Sequence, residues 1–147
     1  MLWGVLSSYG MGPLVPIDGK VNAQAYIGIL EQYLLPYLAD TMPDGAVFQQ
    51  DNCPSHTARA TMAFFAQHAI NKMDWPAQSP DLNIIENVWA KIKRQLYREQ
   101  HQKLDDVVQR AKELWFTIGY QYINRLLESM PRRCEMVIKN FGYPIDY

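Results

Sequence analysis

Cysteine is scarce: Cys53 and Cys134 are the only two in 147 residues, far apart and in no Cys-x-x-Cys pattern. That disfavours a disulfide framework and a cysteine-based zinc site and makes a reducing compartment the default. Long apolar runs are lacking too, none approaching the roughly 18 residues of a membrane span. The opening MLWGVLSSYG has no basic n-region, so it reads as a strand rather than a signal peptide. A soluble intracellular chain with no membrane partner is expected. Charge of one sign is absent: 14 Lys and Arg stand against 15 Asp and Glu, for a net charge of -1. A strongly basic nucleic-acid-binding domain is therefore excluded, and any contact with nucleic acid must be local. Histidine is sparse, with 3 residues and no His-x-x-x-His spacing.

What is present supports one globular domain spanning residues 1–147, with 48% hydrophobic residues and no low-complexity linker. Trp3 to Ser8 and Leu14 to Ile17 read as a hairpin joined by YGMGP and closed off by Asp18-Gly19. Asn22 can cap a following helix with Tyr26, Leu30, Tyr33, Leu34 and Tyr37 on one side, which Pro36 should kink or end. Ala46 to Gln50 reads as a strand, Thr57 to His68 as a helix with Ala58, Met62, Phe65, Ala66 and Ala69 inward, and the segment ending near Trp75 as a further strand. PAQSPD, residues 76–81, is a connection. Beyond it, Ile85, Val88, Trp89, Ile92 and Leu96 mark an amphipathic helix.

From Leu104 the chain reads as helices only. Val107, Val108, Ala111, Leu114 and Trp115 form one stripe. Ile123, Leu126, Leu127 and Met130 form a second, ended by Pro131, and Met136 to Ile138 a short third. The expected fold class is α/β, with an α/β part over about residues 1–99 and a helical part over about 100–147. In such folds ligands sit beyond the carboxyl ends of strands, and Asp51 lies at one.

Two acids stand out, each with a structural alternative. Asp51 can accept a backbone N–H two residues on, as an Asx-turn, or offer its carboxylate to a ligand. Glu86, in the first turn of a helix begun near Asn83, can complete a capping box with Asn83 and suits the helix dipole, or can reach a site from the rim of the apolar stripe. Lys91, Arg94 and Arg98 recur at helical spacing and can follow a phosphate backbone, or form an ordinary solvated face.

The longer motifs FQQDNCPSHTA and MDWPAQSPDLNIIENVWAKIK resemble the catalytic domain of mariner/Tc-family DDE transposases. The 34 residues between Asp51 and Glu86 match one branch of that family. GVLSSYGMGPLVPIDGKVNAQAYIGILEQYLLPY and SMPRRCEMVIKNFG extend the likeness over essentially the whole chain. The resemblance implies a ribonuclease H-like fold and metal-dependent cleavage and transfer of DNA strands. It assigns Asp51 and Glu86 as catalytic, metal-holding acids for Mg²⁺ or Mn²⁺, two ions in the family and weak or single binding here. Asn52, His56, Trp75, Ser79, Pro80, Asp81 and Asn83 match as supporting residues. Cys53 falls where the family varies, and Ile84 replaces a proline often found there.

The family's first aspartate, on its first and central strand, has no counterpart here, nor does its helix-turn-helix region. A fold incomplete at the N-terminus and inactive alone is therefore expected. Transposon-end DNA, a second copy or a full-length transposase are the implied partners, and the nucleus the implied location. A non-catalytic DNA-associating or protein-interaction module is the alternative function, and an unrelated metal-dependent hydrolase built on Asp51 and His56 a third class.

Overall fold

The computed structural model describes residues 1–99 and 103–146. The expected boundary between the α/β and helical parts, near residue 100, abuts residues 100–102, outside the described residues. Strands β1 (Leu2–Ser7) and β2 (Gly10–Pro16) form a two-stranded hairpin. Its connection is only Ser8-Tyr9, so the Met11-Gly12-Pro13 stretch expected in the turn is strand instead. Gly10 supplies the conformation this demands, with φ +120°, and the Tyr9 N–H is taken by the Ser7 hydroxyl at 3.0 Å. At the other end Met1 and Ile17 exchange both backbone bonds.

Two compact units divide the chain, residues 1–3 with 15–78 and residues 4–14 with 79–147. In the first, Asn22 caps α1 (Ala23–Ile29) as expected, its side-chain oxygen accepting from the Ala25 N–H at 2.9 Å. The helical path does not end at Pro36. It widens into a π turn at Leu30–Leu34 and continues as α2 (Leu35–Thr41). With the Leu35 N–H reaching back five residues to the Leu30 carbonyl, the register accommodates a proline that has no N–H to give.

Strand β3 (Val47–Phe48) is shorter than the expected Ala46 to Gln50, and β4 (Asn71–Lys72) pairs with it in parallel, Val47 opposite Asn71. Between them the expected Thr57 to His68 helix is broken at Ala58, whose ψ of 144° is extended. A single turn, α3 (Pro54–Thr57), precedes α4 (Arg59–Gln67). The inward face of α4 is Thr61, Phe64 and Phe65, while Met62 is exposed. The Thr61 hydroxyl donates to the Ser55 carbonyl at 2.7 Å, so a buried polar residue bridges the break where an alanine-lined face was expected. Ala69 is not on the helix face either; with φ 50° it forms a left-handed cap, and the Ile70 N–H bonds the Phe65 carbonyl.

The second unit holds a 3₁₀ turn (Pro80–Leu82), α5 (Ile84–Arg98), α6 (Leu104–Phe116) and α7 (Tyr120–Lys139). Val88 and Ile92 of α5 and Ala111 and Trp115 of α6 are buried, as their spacing predicts, while at the start of α5 Ile84 is buried in place of the expected Ile85. Trp115 stacks on Trp89 with ring centroids 4.8 Å apart. Pro131 does not end a helix: α7 runs through it for 20 residues, because Ile123, Leu126 and Arg133 on either side are all buried. Anchored at both ends, the helix tolerates one missing backbone bond.

Candidate active site

Asp51 lies three residues beyond β3, in the loop that leads into α3. Its Oδ1 accepts the Cys53 N–H at 3.1 Å, which is the Asx-turn the sequence allows. The same oxygen is 2.6 Å from His56 Nδ1, and that nitrogen also lies 3.3 Å from the Asp51 carbonyl oxygen. Two oxygen acceptors around one ring nitrogen assign the proton to Nδ1. The carboxylate is nevertheless 60% exposed, and its Oδ2 takes no hydrogen bond among the described residues. The turn and the open carboxylate are thus compatible: one oxygen fixes the side chain and the other faces outward.

His56 is itself held from below. Its ring lies 4.1 Å from the ring of Tyr26, which is 2% exposed. The Tyr26 hydroxyl donates to Gln50 Oε1 at 2.6 Å, and Gln50 Nε2 donates to the His56 carbonyl at 3.3 Å. Tyr26 and Gln50 were not among the residues the sequence singles out. Both were visible there, Tyr26 as the first residue of the α1 stripe and Gln50 as a polar residue at the end of an apolar strand. Asn52 Nδ2 donates to the Trp75 carbonyl at 2.8 Å, tying the loop after β3 to the segment after β4. Asp51, Asn52, His56 and Trp75 therefore form one cluster in the first unit.

Burial pushes the Tyr26 phenol well above the ordinary tyrosine pKa, the negative charge of Asp51 adds to this, and a hydrogen bond from the Trp3 side chain opposes it. Tyr26 stays neutral in the folded chain at a pH where an unfolded tyrosine ionises. Its stabilisation is complete below a pH of about 10 and is lost as the pH rises further. Tyr26→Phe should lower stability near neutral pH by about 1–3 kcal/mol, since Gln50 Oε1 loses its donor in a buried place. The variant should also show a shallower alkaline decline in urea midpoint than the unaltered chain. An equal decline in both would show that another group controls it.

The remaining candidates lie in the second unit. Asn83 is at the N-cap of α5, but its side chain makes no capping bond to the helix, so the expected capping box is not formed. Glu86, in the first turn, is exposed. Asp81, expected only as a supporting residue, is buried, its Oδ1 accepting the Leu82 N–H and its Oδ2 the Ile145 N–H, each at 3.1 Å. Ser79 precedes the 3₁₀ turn and Pro80 opens it. Lys91, Arg94 and Arg98 are all exposed on α5. Lys91 Nζ lies 4.7 Å from the centre of the Tyr122 ring.

Among the described residues no group of three or more His, Cys, Asp or Glu side chains is gathered to hold a metal ion. In the Asp51–His56 pair of the hydrolase reading, acid and imidazole bond each other. The donors that do stand open are carboxylate oxygens, hard ligands suited to Mg²⁺ or Mn²⁺. Cys53 and Cys134 are free thiols. Among the described residues no helix is long and apolar enough to cross a membrane.

An acid beyond a strand end, a parallel strand pair and a helix with a second acid in its first turn are the features the known relatives bear on. The catalytic domain of Mos1 transposase, solved with raltegravir and Mn, matches with a TM-score of 0.84 over 99% of this chain and 76% of that one, at 23% identity. The Mos1 paired-end complex with the left transposon end matches with a TM-score of 0.84 at 22% identity, covering 99% of this chain and 44% of that one. These likenesses show the ribonuclease H-like fold. The profile of DDE superfamily endonucleases matches residues 2–108, and the chain belongs to that family. The Tcb1 transposable-element transposase of Caenorhabditis briggsae is 38% identical over all of this chain and 54% of its own length. The chain spans about half the length of the curated relatives it matches.

Proposed function

We propose that these 147 residues form part of the phosphoryl-transfer domain of a Tc/mariner-type transposase, acting on DNA, with Asp51 and Glu86 as the acids that hold Mg²⁺ or Mn²⁺. The observation that carries the reading is the Asp51 carboxylate, fixed by His56 and the Cys53 N–H at one oxygen and open at the other. A bound divalent ion would polarise the phosphate and lower the pKa of an attacking water or 3′-hydroxyl. Asp51 and Glu86 would hold it through carboxylate oxygens, the hard donors such ions take.

His56 keeps the Asp51 side chain in one rotamer, so little order is lost on binding. Asn52 and Trp75 hold the loop, and Ser79, Pro80, Asp81 and Asn83 shape the entry to α5. Lys91, Arg94 and Arg98 offer positive charge for the DNA backbone. The nucleus, where such DNA lies, is the proposed place of action. A further copy or a full-length transposase is the proposed protein partner.

The family reaction uses a third carboxylate that no residue of these 147 matches. Whether or not more chain precedes them, the 147-residue polypeptide alone should not nick DNA. Fusing to it the aspartate-bearing strand of a related transposase should give Mn²⁺-dependent nicking of plasmid DNA, and the same fusion with asparagine there should not. Cleavage by the unfused polypeptide, lost in Glu86→Gln, would overturn the inactivity. Equal inertness of both fusions, each folded, would favour a non-catalytic DNA-associating module.

A further inference from the structure

We propose that Arg133 is the positioning residue of Glu86. The proposal rests on the reading of Glu86 as a metal-holding acid. Glu86 is exposed, so its location is set by the first turn of α5 rather than by packing of its own side chain. Arg133, on α7 and 46 residues further along than Asn87, is only 5% exposed. Its Nη1 donates to the Asp81 carbonyl at 2.8 Å and to Asn87 Oδ1 at 3.0 Å. Those two acceptors bracket Glu86, one in the 3₁₀ turn that leads into the helix and one immediately after it.

The far side of the guanidinium is fixed as well. Nε donates to the Ser129 hydroxyl at 2.9 Å, whose own O–H donates to the Leu126 carbonyl at 2.6 Å. The Asp81 carboxylate is spent on the N–H groups of Leu82 and Ile145. Two bonds of Arg133 to this turn end on neutral oxygens, the Asp81 carbonyl and the Asn87 side-chain amide. A planar fork buried against neutral acceptors fixes direction, which a flexible ammonium does less well. Tyr122 adds a second tie from α7, its hydroxyl 3.4 Å from the Asn87 carbonyl. Truncating Arg133 would leave Asp81 and Asn87 oxygens without this donor and free the turn that carries Glu86.

The test uses the whole 147-residue chain with Arg133→Met, Arg133→Lys, Asn87→Ala and Glu86→Gln, and Mn²⁺ alone as the probe. Asn87→Ala removes only the α5 arm, so it decides the matter if Arg133→Met does not fold. Amide exchange at residues 86–89 should quicken about tenfold in Arg133→Met and less in Asn87→Ala, with amides around Trp115 unchanged, because local opening is set by local bonds. Mn²⁺ affinity should fall about tenfold in Arg133→Met, as for other residues that orient a metal ligand, with Arg133→Lys between. A purely architectural arginine would lower the unfolding midpoint and quicken exchange throughout, leaving the affinity of the folded chain unchanged. Unaltered exchange at 86–89 in both Arg133→Met and Asn87→Ala would overturn the proposal. So would unaltered affinity in folded Arg133→Met when Glu86→Gln abolishes binding. If Glu86→Gln itself leaves Mn²⁺ binding unchanged, the metal-acid reading falls, and the exchange data still decide whether Arg133 holds the turn.

Discussion

In the aspartate-bearing fusion, Glu86→Gln and Asp51→Asn are each expected to reduce Mn²⁺-dependent nicking by about a thousandfold, equivalent to roughly 4 kcal/mol of transition-state stabilisation. Both substitutions keep size and shape and remove one negative charge. The folded chain should tolerate them, because both side chains are exposed. Asp51→Asn retains an oxygen that can accept the Cys53 and His56 bonds, so its loss of activity would report charge at the metal rather than collapse of the loop. Initial rates on supercoiled plasmid across a Mn²⁺ series would separate weakened metal binding, rescued at high concentration, from lost chemistry. Activity within a few-fold of the parent fusion in either variant would remove that acid from the reaction.

A second large effect is expected at Trp115. Its side chain is fully buried, stacks on Trp89 and donates its indole N–H to the Gly12 carbonyl at 2.9 Å. The ring edge also approaches Gly4 so closely that a Cβ there would stand 2.7 Å from it. Trp115→Ala should cost about 3–5 kcal/mol, the range for emptying a large aromatic site. That is a large share of the roughly 5–15 kcal/mol that holds a domain folded. Trp115→Phe should lose less, keeping most of the ring but leaving the Gly12 carbonyl without its donor. Urea unfolding followed by circular dichroism would measure both. A loss under 1 kcal/mol for Trp115→Ala would show that the hairpin tip and α6 do not depend on this contact.

Where structure follows from neighbours in sequence, it was legible there. Asn22 caps α1, Asp51 makes its Asx-turn, the strand expected to end near Trp75 forms over Asn71–Lys72 only, and Val88, Ile92, Ala111 and Trp115 are buried as periodicity marks, with Ile84 buried in place of Ile85. Pro131 does not end its helix, and at Pro36 the regular α-helix gives way to a π turn without ending the helical path. A proline removes one backbone bond, and a π turn at Leu30–Leu34 or buried anchors at Ile123, Leu126 and Arg133 offset that loss. The capping box failed because the Asn83 side chain does not bond the helix, a choice that spacing cannot reveal.

Asp51 and Glu86 stand out in the sequence through their motifs, but the bonds around Asp51 and around the turn that carries Glu86 do not. Tyr26, Gln50 and Arg133 act across 24 to 52 residues of sequence, where no local rule reaches. Arg133 looked like one charge among several in MPRRC. Only its burial and its two acceptors on either side of Glu86 distinguish it from Arg132, which is exposed.

The central claim is that Asp51 and Glu86 serve one metal ion, and the most direct measurement is Mn²⁺ binding to the 147-residue chain by water-proton relaxation. One weak site is expected in the unaltered chain, lost in Asp51→Asn and lost equally in Glu86→Gln. Binding that persists undiminished in either variant would contradict a shared site.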